Sequence, residues 1–266
     1  FDAGQLDADL QSGKAVAFAA DPLIEDHSFL AKFDNTEQKY ATITPPNLKP
    51  DERFSVLIAL HGHGSDRWQF VKENRDECRA ARDFAMQRRM LFVSPDYRAR
   101  TSWMGPAAEA DLVQIIETLR KDYPVHGVYL CGGSMGGTGA LTFSALHPDL
   151  IQGTAAMNGT ANLLEYQNFQ EAITESYGGP KKSIPEEYKK RSAEYWPERL
   201  TMPIGVTTGG KDTAVPPQSV QRLAAILNQL ERPVLLIHRE EGGHETNYAD
   251  AMQILEYSIS RPTAAQ

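Results

Sequence analysis

The chain has 266 residues, 41% of them hydrophobic, and a formal net charge of −8. An acidic chain without a dense basic run argues against nucleic acid and anionic membrane as partners. No apolar stretch approaches the roughly 20 residues that a membrane span requires. Two cysteines, Cys78 and Cys131, do not make a disulfide scaffold at this length. A start at Phe1 without Met reads as a removed leader or a trimmed chain, which leaves the compartment open with secretion or the periplasm favoured.

Residues 36–44 alternate as an edge strand would, and Pro45-Pro46 stops them. Residues 54–60 are a near-continuous apolar run, the pattern of a parallel strand covered on both faces. Residues 68–89 carry helix-spaced apolar positions, and 90–94 form the next strand, stopped by Pro95. Residues 106–122 read as a helix with Leu112, Ile115, Ile116 and Leu119 on one face. Residues 127–130 form a strand and 139–146 a helix. Strands at 153–157, 204–208 and 234–237 follow, with helices at 219–230 and about 246–259. This alternation predicts a doubly wound, mostly parallel α/β sheet in a single domain. Residues 159–200 interrupt it with polar sequence, Gly178-Gly179-Pro180, Tyr188, Tyr195 and Trp196, and read as a short helical cap over the sheet's C-terminal edge.

The most informative stretch is Tyr129-Leu130-Cys131-Gly132-Gly133-Ser134-Met135-Gly136-Gly137. It sets a serine in Gly-x-Ser-x-Gly between an apolar strand and a small-residue helix. A sharp turn there lifts the hydroxyl out of the sheet, and the glycines remove side chains that would clash. The helix N-terminus then aims free N–H groups where an oxyanion would form. Cys131, three residues earlier inside the strand, is the weaker nucleophile because a thiol there is buried.

A nucleophilic serine needs a base, and the base needs an orienting acid. His244, in Glu240-Glu241-Gly242-Gly243-His244, sits on a flexible loop past the 234–237 strand and is the candidate base. His238 is its rival but has no loop to reach across, His147 reads as the end of the elbow helix, and His27 and His126 as solvated positions. Asp212, in Gly209-Gly210-Lys211-Asp212, follows another strand and completes the order Ser, Asp, His. The segment His61-Gly62-His63-Gly64 has two readings. As a His-x-His metal site it fails, because the Asp and the further His that such a site needs are misplaced or missing, so no metal is expected. As an oxyanion loop it offers a backbone N–H from His63 or Gly64, beside that of Met135.

These residues resemble the α/β-hydrolase superfamily over roughly 36–260, and within it the dienelactone hydrolase, esterase-D and feruloyl-esterase-like group, which is similar to the prolyl oligopeptidase catalytic domain. The resemblance implies a serine carboxylic ester hydrolase that uses no cofactor and works through an acyl-enzyme. The pocket it implies draws on Tyr97, Arg98, Trp103 and Met104 after the 90–94 strand, and on Trp196 of the cap. Arg98 and Arg100 favour a small or polar acyl ester, with an acetyl or feruloyl ester on a carbohydrate as the leading expectation. A serine peptidase or amidase acting on short peptides is the alternative, since it would need the same three residues.

Overall fold

The computed structural model describes residues 21–49 and 51–260. Eight strands form one sheet: β1 (Leu23–Leu30), β2 (Glu37–Thr44), β3 (Phe54–Leu60), β4 (Leu91–Pro95), β5 (Val125–Gly133), β6 (Gly153–Met157), β7 (Ile204–Gly209) and β8 (Val234–Arg239). Their order is β1-β2-β4-β3-β5-β6-β7-β8. β1 and β2 pair antiparallel, β2 joins β4 antiparallel, and all later pairs are parallel.

The first antiparallel strand corrects the sequence reading. Residues 36–44 are not the edge, because β1 lies outside them. β1 leaves Leu23, Ile24 and Leu30 exposed, so it carries no clean alternation to detect. The expected helix over 68–89 divides into α1 (Gln69–Lys72) and α2 (Asp76–Gln87). Glu73 is extended between them, and the Arg82 guanidinium donates to the freed carbonyls of Phe70 and Glu73 at 2.7 and 2.9 Å.

The remaining helices are α3 (Pro106–Asp122), α4 (Met135–Leu146), α5 (Gln170–Tyr177), α6 (Pro185–Lys190), α7 (Gln218–Gln229) and α8 (Tyr248–Ser260). Side chains of β3 alternate between two cores, as the period of two demands. Val56, Ile58 and Leu60 pack with α3, α4, α7 and the cap, whereas Leu57 and Ala59 pack with α2 and α8. Both cysteines are free thiols buried in this second core, and burial pushes Cys78 up to about 12. No helix among the described residues is long and apolar enough to cross a membrane.

The cap, α5 and α6 with short turns, is clamped by Arg191. Its buried guanidinium meets Glu187 and Glu109 at 2.7 Å each and donates to the Met104 carbonyl at 2.8 Å.

Candidate active site

Four loops leave the C-terminal ends of parallel strands and converge, the place where an open α/β sheet presents a crevice. β5 ends in Ser134, β7 leads to Asp212, β8 leads to His244, and β3 leads to His61-Gly62-His63-Gly64. Ser134 sits at φ 58° and ψ −119°, a left-handed turn that L residues rarely adopt, between β5 and the first turn of α4. The turn closes only because Gly136 has no side chain: a Cβ there would lie 1.9 Å from the Leu60 carbonyl oxygen. Helix α4 therefore starts at Met135, four residues before the sequence placed it, directly after the serine.

The Ser134 hydroxyl lies 2.8 Å from His244 Nε2, and His244 Nδ1 lies 2.6 Å from Asp212 Oδ2. The Asp212 side chain is fully buried, and its Oδ1 accepts the N–H groups of Ala214 and Val215 at 2.9 and 2.8 Å. Both carboxylate oxygens are thus satisfied, so the carboxylate is held in one orientation. The acid and base loops touch backbone to backbone. Gly210 and Lys211 donate to the carbonyls of Arg239 and Gly242 at 2.8 Å each, and a Cβ on Gly209 would lie 2.1 Å from the Gly243 oxygen. His238 points elsewhere, toward Thr208 and Glu240.

The loop after β3 has its amides largely committed. Gly62 donates to Gln69 Oε1 at 2.7 Å and Gly64 to the Arg100 carbonyl at 2.9 Å. Among the described residues no acceptor takes the N–H of His63, nor that of Met135 at the start of α4. Of the two donors that sequence left open, His63 is the one with its N–H uncommitted. His61 is buried, with its ring nitrogens 2.9 and 3.0 Å from the carbonyl oxygens of Gly62 and Asp96. No three or more His, Cys, Asp or Glu side chains converge among the described residues as a metal site would require.

The predicted substrate contacts fare differently. Tyr97 is buried and donates its hydroxyl to the His61 carbonyl at 2.6 Å, and Met104 is core. Arg98 is tied to Asp34 and Asp111 at 2.5 Å each. Trp196 donates to the Lys189 carbonyl and stacks under Arg199. The loop after β4 turns through left-handed residues at Tyr97, Arg98, Trp103 and Met104, and packs Tyr97 and Met104 into the core. Trp103 is buried too, yet it touches the site: its indole N–H donates to His63 Nδ1 at 3.2 Å. An indole nitrogen only donates, so His63 Nδ1 must accept and carries no proton. Burial lowers the His63 pKa in the same sense.

A recess opens beside Ser134 and His244. Phe70 and Met157 supply its apolar lining, and Gln69, Asn158 and Glu245 its polar lining. Asn158 escaped the sequence reading. Its Nδ2 donates to the Gly243 carbonyl at 3.4 Å and its Oδ1 accepts from Thr246, which steadies the base loop. An Asn just after an apolar strand was its only signal.

The fold and this site define a serine hydrolase of the α/β-hydrolase class. Residues 99–259, more than half of the chain, match the prolyl oligopeptidase family, and the chain belongs to that family. No curated protein matches the sequence. Among solved structures it is similar to a ferulic acid esterase from Anaeromyces mucronatus (16% identity, 92% of this chain and 93% of that one, TM-score 0.67). It is also similar to an S-formylglutathione hydrolase from Agrobacterium tumefaciens (13% identity, 90% and 94%, TM-score 0.68). An acylaminoacyl peptidase from Pyrococcus horikoshii matches at 15% identity over 93% of this chain, with a TM-score of 0.68. This chain spans only 43% of that peptidase.

Proposed function

We propose that the protein hydrolyses carboxylic esters of small or polar acyl groups, a carbohydrate ester foremost, through an acyl-enzyme on Ser134. The observation that supports acyl transfer on Ser134 is the unbroken relay Ser134–His244–Asp212, at 2.8 and 2.6 Å. Ser134 attacks the acyl carbon as its proton passes to His244 Nε2. Asp212 holds the Nδ1–H tautomer and stabilises the imidazolium that forms. The N–H groups of His63 and Met135 receive the oxyanion, where a single donor is typically worth about 10²–10³ in rate. His244 then returns the proton to the leaving alcohol. Water, activated by the same imidazole, releases the acid in the second half.

The modest recess beside Ser134 supports a small acyl group. The second reading, a peptidase or amidase on short peptides, is favoured by the family match at residues 99–259. Hydrolysis of p-nitrophenyl esters from acetate to long acyl chains tests the choice. Short esters should turn over, and Ser134→Ala should lose at least about 10³-fold in kcat. No turnover of any ester by the intact protein overturns the ester reading in favour of aminoacyl amides.

A further inference from the structure

Cap residues 160–168 face residues 213–219 across a second recess. Its inner end is tied to the elbow: the Thr160 N–H donates to Thr138 Oγ1 at 2.9 Å, and that hydroxyl donates to the Ser134 carbonyl at 3.2 Å. Its far wall is the acid loop. Asn168 Nδ2 donates to the carbonyls of Thr213 and Ala214, and the Tyr166 hydroxyl donates to that of Ala214.

The lining is rich in amides and hydroxyls and offers no free charge. Its carboxylate, Glu165, is paired with Arg222. Lys181, behind the wall, donates to the carbonyls of Tyr166 and Leu164 at 2.6 and 3.2 Å. The Gln167 amide nitrogen points back to the Glu165 carbonyl at 2.7 Å. The side-chain oxygens of Gln167 and Asn168, and the whole Gln218 amide, have no partner among the described residues. A fatty chain here would strip these groups of water without replacing it, and an anion would meet no cation.

An aromatic row leads from this recess to the oxyanion loop. Tyr166 lies 5.5 Å from Trp103, Trp103 lies 5.3 Å from Phe169, and Phe169 lies 4.5 Å from His63. Phe169 keeps 38% of its surface exposed and is held at φ 52°, where a bulky residue is uncommon.

Open amide oxygens that accept hydroxyls and a neutral lining, with the exposed ring of Phe169 next in the chain to the lining residue Asn168, together fit a polyhydroxylated, uncharged ligand. We infer that this recess is a saccharide subsite, which holds the neutral sugar of an ester whose acyl carbon lies at Ser134. The ester part rests on the proposed function, whereas sugar binding itself does not.

Binding is therefore read without turnover. Xylotriose and cellotriose are titrated by calorimetry into Ser134→Ala protein. Saturable binding of at least one is expected, weakened about fivefold or more by adding Phe169→Ala. In the enzyme with Ser134 intact, the ratio of kcat/KM on acetylated xylotriose to that on p-nitrophenyl acetate should fall about tenfold in Phe169→Ala, chiefly through KM. The double variant Gln167→Ala/Gln218→Ala, on exposed side chains, should lower the same ratio and stands in if Phe169→Ala does not fold. Absence of saturable binding by both sugars, or equal losses on both substrates, overturns the subsite. Failure of the ester reading shows separately, as no turnover of p-nitrophenyl acetate by the intact enzyme.

Discussion

The loops around Ser134 and the cap around Tyr166 are held in place by different means. At the elbow, backbone lies against backbone: Gly136 against Leu60, Gly209 against Gly243, Ser134 N–H on the Met157 carbonyl at 2.8 Å. In the cap, side chains reach across long stretches of sequence to grasp carbonyls, as Lys181, Asn168 and Arg191 do. Direct backbone contact leaves no room for adjustment, which suits atoms that must meet within tenths of an ångström. Side-chain tethers tolerate variation, which suits the role of a specificity wall proposed for the cap.

The contrast can be broken at either end. On the proposed roles, Asp212→Asn has the largest effect. It should lower kcat on order of 10³–10⁴-fold, because the amide leaves His244 in the wrong tautomer. The midpoint of thermal unfolding should move little, since Oδ1 can still accept from Ala214 and Val215. Gly136→Ala comes next, and should destabilise the fold by more than about 4 kcal/mol in urea unfolding or prevent folding, since the clash is with backbone. A cap tether gives less: Arg191→Met should cost about 2 kcal/mol by the same measurement, through the half-buried carboxylates of Glu109 and Glu187 losing their guanidinium partner.

The smallest effect sharpens the cap side. Burial disfavours ionised Glu109, but the hydrogen bond with His147 and the Arg191 guanidinium outweigh it and hold the carboxyl down to about 2. A carboxyl with a lowered folded pKa stabilises the protein above its unfolded value, about 4.5, and loses that contribution as pH falls toward 2. Between pH 5 and 2.5, urea stability should therefore drop more steeply in the native protein than in Glu109→Gln. Parallel slopes would show that the clamp adds nothing to cap docking.

What was legible in the sequence follows the same division. Parallel strands buried on both faces announce themselves as apolar runs, and strand β6 was placed to the residue. Ser134, Asp212 and His244 stood out because each has a glycine within two residues, and several of those glycines meet backbone closely. The edge strand β1, half in solvent, carries no such pattern. Nor do Gln69 and Asn158, whose placement depends on partners 7 and 85 residues away in the chain. The aromatic residues after β4 misled for a related reason. Tyr97 and Trp103 were legible as large side chains near a strand end, but only left-handed backbone at these positions decides that they turn into the core.

The two buried thiols turn the second core into its own reporter. Cys131 lies on β5, three residues before Ser134, and Cys78 on α2. Both sit in the layer under α2 and α8, where burial keeps them protonated at neutral pH. A thiol reagent can reach them only when that layer opens. Its rate of modification therefore counts openings of the sheet's far face, with no label added and the catalytic face untouched.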